Sequence, residues 1–183
     1  MPEMHHTVPC YCKSSPPALD SSPPKLQQSE CSIIKMNLDM VKQAAGKSFE
    51  IIDHTADVGI IAYGTEIKQV FANAALALFS LITELENIGE ELKYDVEVVS
   101  EDRESLLVEW LNELIYLFDA EHVLLKNFDI QSLSNTRLKA TCYGEKIDPS
   151  RHKLKTEVKA ATYHMLRIDK DNKGYKAQII FDI

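Results

Sequence analysis

Short apolar stretches with strand-like composition open the regular part of the chain. Segments 49–54 and 58–64 are rich in Ile and flank the polar tripeptide Thr-Ala-Asp, so they predict two short strands. A third strand is predicted over 93–100, where Tyr94 and Val96 begin an alternation of half-buried positions.

Two longer segments carry apolar residues at helical spacing. Residues 66–83 form the first, with Thr65 as its expected N-cap, and residues 103–121 form the second, with Asp102 as its expected N-cap. The second segment has a broad apolar face that includes Trp110, which predicts a helix packed on a sheet.

Two hairpins are predicted in the remainder of the chain. Two strand-like runs within 127–144 are joined by Ser-Asn-Thr, and the runs 158–168 and 175–183 flank a turn in which Gly174 is free to adopt a positive φ. The order β-β-α-β-α-β-β-β-β predicts an α+β fold, in which two helices pack on a mostly antiparallel β-sheet in a single compact domain.

The first 46 residues differ in composition from this domain. They carry six of the seven prolines, with Ser and other polar residues between them, and a segment of that kind is typical of disorder. Residues 1–46 are therefore expected to be a disordered extension, either genuine or produced by the choice of start site, and residues 47–183 the folded domain. Cys10 and Cys12, close to His5 and His6, fit no standard zinc-ligand spacing.

The net charge of −8 belongs to the folded domain, because residues 1–46 contain four basic and four acidic residues. An acidic domain is poorly suited to independent nucleic-acid binding and better suited to a protein partner or a cation. No apolar run approaches the ~20 residues that a bilayer requires, and no secretory signal is visible, so a cytoplasmic protein with reduced thiols is expected. Cys142 is expected to be a small buried residue.

Three potential ligands interrupt the apolar stretch IIDHTADVGI, namely Asp53, His54 and Asp57. They are either turn residues beside a packed histidine or ligands of a divalent cation, for which oxygen donors favour Mg²⁺, Ca²⁺ or Mn²⁺. A hydrolase that activates water at this cluster is also conceivable, although no nucleophile and base pair is recognisable.

The segment IIFDI places a second acidic group at the far end of the sequence. A strand that is apolar up to its last residues is expected to be docked in the sheet, so Asp182 and the carboxylate of Ile183 need a cation or a basic side chain. These groups form half of a metal site, which Asp57 would complete if its strand adjoins theirs.

Lys159 and His164 lie on opposite faces if the strand that contains them is regular. His164 is then either a core histidine or a functional one. Lys159 is either solvated or able to reach a carboxylate or a phosphate.

Four segments in this order resemble the archease family: FEIIDHTADVGIIAYG, SLLVEWLNELIYLF, TEVKAATYHM and IIFDI. The resemblance covers residues 48–183 and implies a compact α+β domain. It also implies an accessory protein without catalytic activity of its own, which activates the GTP-dependent RtcB-type RNA ligase of tRNA splicing and RNA repair. Such a protein promotes guanylylation and multiple turnover of the ligase. It interacts with GTP and tRNA only indirectly, through the ligase.

The resemblance further implies a divalent-cation site. Its residues would be Asp57 and Asp182, with Ile183 as a further ligand and His54 as a neighbour, and Lys159 would be a functional basic residue. The alternatives are a chaperone-like modulator of an RNA-modifying enzyme and a metal-dependent hydrolase.

Overall fold

The computed structural model describes residues 47–53 and 57–183. The expected disorder of residues 1–46, the cysteines and histidines within them, and His54 all lie outside the described residues. The elements of the described part are β1 (Phe49–Asp53), β2 (Val58–Gly64), α1 (Ile67–Ile82), a short 3₁₀ turn (Leu85–Asn87), β3 (Leu92–Val99), α2 (Arg103–Glu121), β4 (Val123–Leu133), β5 (Arg137–Lys146), β6 (Ala160–Asp171) and β7 (Gly174–Asp182). The predicted order and the α+β class are confirmed.

The seven strands divide into two antiparallel sheets, a division that the sequence pattern did not reveal. One sheet has four strands in the order β1-β2-β7-β6, and the other has three in the order β3-β5-β4. Each helix packs against strands of both sheets, so the helices lie between them. None of the helices in the described part of the chain is long and apolar enough to cross a membrane.

The core lies around the two helices, where their apolar faces meet the sheets. Trp110 of α2 is fully buried, and its indole N–H donates a hydrogen bond of 3.2 Å to the main-chain oxygen of Phe71 in α1. The Trp110 ring meets the edge of Phe128 in β4 at a centroid distance of 6.2 Å, and Phe79 stacks on Phe128 at 5.8 Å. The packing predicted for α2 is confirmed.

The two helices begin differently, and only one beginning was predicted correctly. Asp102 caps α2 as predicted, because its carboxylate accepts a 2.7 Å hydrogen bond from the Ser105 N–H. The prediction that Thr65 caps α1 was wrong, since Glu66 occupies the N-cap without a side-chain bond. Thr65 instead donates from its main-chain N–H and its hydroxyl to Oε1 of Gln69, at 2.8 and 3.1 Å.

The hairpin between β6 and β7 has the expected turn, with Gly174 at φ +136°. Cys142 is fully buried in β5, as predicted, and burial raises the pKa of its thiol to about 12. An inert, protonated thiol at that position acts as a small apolar residue.

Strand β6 is irregular, and this overturns the expected alternation along it. Thr162 pairs with Ile180, but the next pair is Arg167 with Gln178, so four residues of β6 face one residue of β7. His164 lies in this bulge and is exposed, so the core position considered for it was wrong. Extra residues in one strand shift the faces of all side chains that follow them.

Candidate metal centre

Three strand ends meet at one end of the four-stranded sheet and bring the predicted acidic residues together. Val58 at the start of β2 pairs with Phe181 near the end of β7. Asp57 lies in the bend directly before Val58 and Asp182 directly follows Phe181, so the two aspartates lie at the same end of the β2–β7 pair. The condition set by the sequence, that the two strands adjoin, is met.

Successive residues of a strand direct their side chains to opposite faces of the sheet. In this sheet the buried side chains of Ile60, Ile179 and Phe181 point to the helices. Asp182, the strand residue after the inward-pointing Phe181, is therefore on the outer face, and Asp57 lies in the bend just before β2. Carboxylates at one exposed end of a sheet are potential ligands of a divalent cation.

Lys159 joins the same end of the sheet from β6. Its main-chain N–H donates to the main-chain oxygen of Asp182 at 2.8 Å, which extends the β6–β7 pairing by one residue beyond Ala160. Its ammonium group donates to the main-chain oxygen of Ile183 at 3.0 Å. The structure thus brings Lys159 together with the C-terminal half of the predicted site, where its charge partly balances the carboxylates.

The site is open to solvent. Asp182 and Lys159 are exposed, Ile183 is 38% exposed, and Asp57 is half-buried. These groups are therefore accessible in the described part of the chain. His54, which was expected beside them, lies outside the described residues.

The donor chemistry fits a hard divalent cation. Carboxylate and main-chain oxygens are the ligands that Mg²⁺, Ca²⁺ and Mn²⁺ prefer. Within residues 47–53 and 57–183, no group of three or more His, Cys, Asp or Glu side chains is close enough to hold a metal ion. Asp57, Asp182 and the Ile183 oxygen would thus supply an incomplete ligand shell, and water or phosphate oxygens from a partner could fill the other positions.

A small apolar cluster lies on the outer face of the sheet, around Gly59. A Cβ atom on Gly59 would lie 2.6 Å from Cγ1 of Ile52 and 2.8 Å from Cδ1 of Ile180, so these two side chains occupy the space above the glycine. Ile180 is only 1% exposed, although it points away from the helices. This cover explains why the segment around Asp57 has the composition of a core strand.

A buried polar cluster around Glu145, at the end of β5, was not predicted from the sequence. Glu145 is 4% exposed and accepts hydrogen bonds from the Gly89 N–H and from the Arg151 guanidinium. Nε2 of His152 lies 3.2 Å from the same carboxylate. These donors, chiefly the Gly89 N–H, hold the pKa of the Glu145 carboxyl below its usual range against the opposing effect of burial.

His152 is part of the same cluster and is also buried. The Asp148 N–H donates to its Nδ1 at 2.9 Å, so the ring proton of the neutral imidazole is on Nε2. From there it is shared between Glu145 and the main-chain oxygen of Asn87, which is 3.2 Å away. Through His152 and Asn87, the cluster connects the segment that precedes Lys159 to the 3₁₀ turn.

Comparisons with known proteins agree on one family. The model of the archease protein family matches residues 49–183. The protein archease of Methanosarcina mazei is 42% identical over 142 residues, which are 75% of this chain and 97% of the relative. The protein archease of Sulfolobus acidocaldarius is 38% identical over 136 residues, which are 74% of this chain and 98% of the relative.

Two solved structures share the fold. The solution structure of a protein from Methanobacterium thermoautotrophicum has 40% identity and a TM-score of 0.65, over 74% of this chain and 99% of that one. The crystal structure of an archease from Thermotoga maritima, described as a possible chaperone, has 22% identity and a TM-score of 0.51. It covers 73% of this chain and 96% of that one, and at this identity it shows a likeness of fold alone.

Proposed function

Because this chain belongs to the archease family, we propose that it is an accessory protein of an RNA-processing enzyme, namely the GTP-dependent RtcB-type RNA ligase of tRNA splicing and RNA repair. In this proposal the chain has no catalytic activity of its own. It promotes guanylylation of the ligase and allows each ligase molecule to turn over repeatedly. The observation that carries the proposal is the meeting of Asp57 and Asp182 at one exposed end of the sheet.

The proposal assigns a ligand role to three residues at that end. Asp57 and Asp182 would hold a divalent cation between their carboxylates, and the Ile183 oxygen would add a further oxygen ligand. When bound, such a cation neutralises phosphate charge and helps to orient the phosphates for nucleotidyl transfer. The cation would be Ca²⁺, Mg²⁺ or Mn²⁺, which prefer oxygen ligands.

Lys159 would act as a positioning residue. Its main-chain N–H and its ammonium group bind two successive residues of the C-terminal strand end, Asp182 and Ile183. These contacts fix the direction in which Asp182 leaves the sheet. The remaining donor capacity of the ammonium group is available to a phosphate oxygen in the complex.

An accessory role explains why an open, shallow site is sufficient. The ligase would supply the nucleophile and the binding sites for GTP and tRNA, and the accessory chain would position charge among them. Positioning and charge neutralisation account for most of the catalysis of phosphoryl transfer. With a net charge of −8, the chain gains little from contacting RNA by itself.

The proposal is tested by the rate of ligase guanylylation with GTP and a divalent cation, in the presence of substoichiometric amounts of this chain. Wild-type protein should accelerate the reaction, and Asp57→Ala or Asp182→Ala should remove most of that acceleration, roughly 10- to 100-fold. Asp129→Ala, which removes an exposed aspartate from the other sheet, is the matched control and should behave as wild type.

Other functions would give different results. If both single variants accelerate guanylylation as wild type does, the metal-dependent role is wrong. A chaperone-like modulator would protect the ligase from aggregation whether or not the carboxylates are present. A metal-dependent hydrolase would turn over a substrate without the ligase and lose that activity when a chelator is added.

A further inference from the structure

Strand β6 carries a bulge beside the acidic end of the sheet. Residues 163–166 face a single residue of β7, so the chain here must leave the plane of the ladder. The bulge begins three residues after Ala160, the partner of Asp182. Strands rise about 3.3 Å per residue, so the bulge starts about 10 Å from the carboxylates along the strand.

Hydrogen bonds on both sides hold the bulge in one conformation. The Thr162 hydroxyl donates to the Ile180 oxygen at 3.1 Å and accepts from the His164 N–H at 3.3 Å. At the other side, the Gln178 side-chain amide donates to the Met165 oxygen at 3.4 Å. The bulge is thus a built feature of the sheet and not a frayed segment.

Its conformation is unfavourable for the residue at its centre. Met165 has a φ of +54°, in the left-handed region that costs energy for a residue with a side chain. The Met165 side chain is 54% exposed, and that of Tyr163 in the same bulge is 58% exposed. Burial of these two side chains in the core therefore does not offset the energetic cost of the strained backbone. Strained residues that the surrounding structure holds in place are concentrated at functional sites.

The side chains suit a protein interface. Tyr and Met are enriched at the centres of such interfaces, and the Met side chain adapts its shape to a partner. Ile183, 38% exposed, adds a third apolar side chain beside the carboxylates. Exposed apolar side chains next to two aspartates form a surface that complements a partner with a basic patch beside an apolar one.

We propose that the bulge 163–166 is the docking surface through which this chain binds the ligase, a partner whose contact face is a basic, phosphate-binding cleft with an apolar rim. This inference rests on the proposed function. The charges favour that occupant, because an enzyme that binds GTP and RNA concentrates Lys and Arg around its cleft. A second copy of this chain is disfavoured by mutual repulsion between two molecules of charge −8.

The division of roles follows from the positions of the groups. The bulge determines affinity for the ligase, whereas Asp57 and Asp182 determine what happens after binding. When the bulge side chains are removed, a higher concentration of this chain should therefore restore full stimulation of the ligase. When the carboxylates are removed, a higher concentration should not restore stimulation.

The test uses a double variant, Tyr163→Ser with Met165→Gly, in the full chain. Glycine accepts a positive φ, so the second change removes a side chain while favouring the backbone of the bulge. The thermal unfolding midpoint should be unchanged or higher with Met165→Gly alone, which separates binding from folding. Val99→Ala removes methyl groups from a side chain that is 59% exposed in the other sheet and is the matched control.

Two measurements on the same proteins decide the matter. The Kd for purified ligase, from fluorescence anisotropy of labelled chain, should rise at least tenfold in the double variant and stay the same in Val99→Ala. In the guanylylation assay, the double variant should need a correspondingly higher concentration for half-maximal stimulation but reach the wild-type maximum.

An unchanged Kd in the folded double variant would overturn the docking surface and leave the proposed function intact. Wild-type binding without stimulation would contradict the proposed function, and the Kd values would still decide the docking surface. If wild-type chain does not bind the ligase, both proposals are wrong.

Discussion

At the scale of single residues, the most informative groups are the acids that the fold places in defined surroundings. Asp57 and Asp182 could be singled out from the sequence because each interrupts an otherwise apolar strand end. Glu145 could not, because its main partner is the Gly89 N–H, 56 residues away in the chain. A sequence pattern reports local periodicity, and a contact of this range depends on how the segments pack.

Glu145 makes the stability of the fold depend on pH. Its pKa is lowered in the folded state, so its contribution to the free energy of unfolding is complete above the unfolded-state pKa, about 4.3. That contribution is lost as the pH falls through the folded-state pKa. Glu145→Gln should therefore be less stable than wild type at pH 7, and the difference should shrink below about pH 4.

Urea unfolding at pH 7, 5, 4 and 3 measures this difference directly. Glu109→Gln, a change on the exposed face of α2, is the control and should follow wild type at each pH. A Glu145→Gln variant that is as stable as wild type at pH 7 would show that the buried cluster does not stabilise the fold.

At the scale of elements, local sequence patterns were sufficient to predict most strands and helices but not the irregularities within them. The alternation of Tyr94, Val96 and Val98 identified β3 because one face of that strand is buried. The bulge in β6 left no such signal, since residues 163–166 contain neither Gly nor Pro. The bulge is defined by its hydrogen bonds to β7, which the sequence of β6 alone does not specify.

The N-cap of α2 is a local sequence feature whose contribution to the free energy of unfolding can be measured. The Asp102 carboxylate accepts from the Ser105 N–H, and the pKa of Asp102 is lowered by this hydrogen bond. Asp102→Ala should lower the free energy of unfolding, because an N-terminal N–H loses its partner. Chemical denaturation at pH 7 measures the loss, and the neighbouring exposed change Glu101→Ala should have a much smaller effect. Equal effects of the two changes would contradict the capping role.

At the scale of the whole molecule, strand order creates the candidate site. Strand β7, the last in the chain, lies between β2 and β6, and this places its end beside the start of both neighbours. The sequence indicated that the last strand is docked, because IIFDI is apolar almost to its end. It did not indicate the neighbours of that strand, because strand order results from long-range packing between sheets and helices.

On the outer face of the four-stranded sheet lies Asp182, and the bulge 163–166 lies in edge strand β6 of the same sheet. The acidic end, formed by Asp57 and Asp182, would hold the cation, and the bulge 163–166 would bind the partner. The helices and the three-stranded sheet lie behind this face and stabilise it. In this account the chain presents charge to another enzyme.

The most direct test of the central claim is calorimetric titration of Mn²⁺ into the isolated chain at pH 7. The account predicts one bound ion per wild-type molecule and binding weakened at least tenfold by Asp57→Asn or by Asp182→Asn, since each change removes a charged ligand. Asp129→Asn on the other sheet should bind as wild type does. Undiminished binding in the double variant Asp57→Asn with Asp182→Asn would contradict the account.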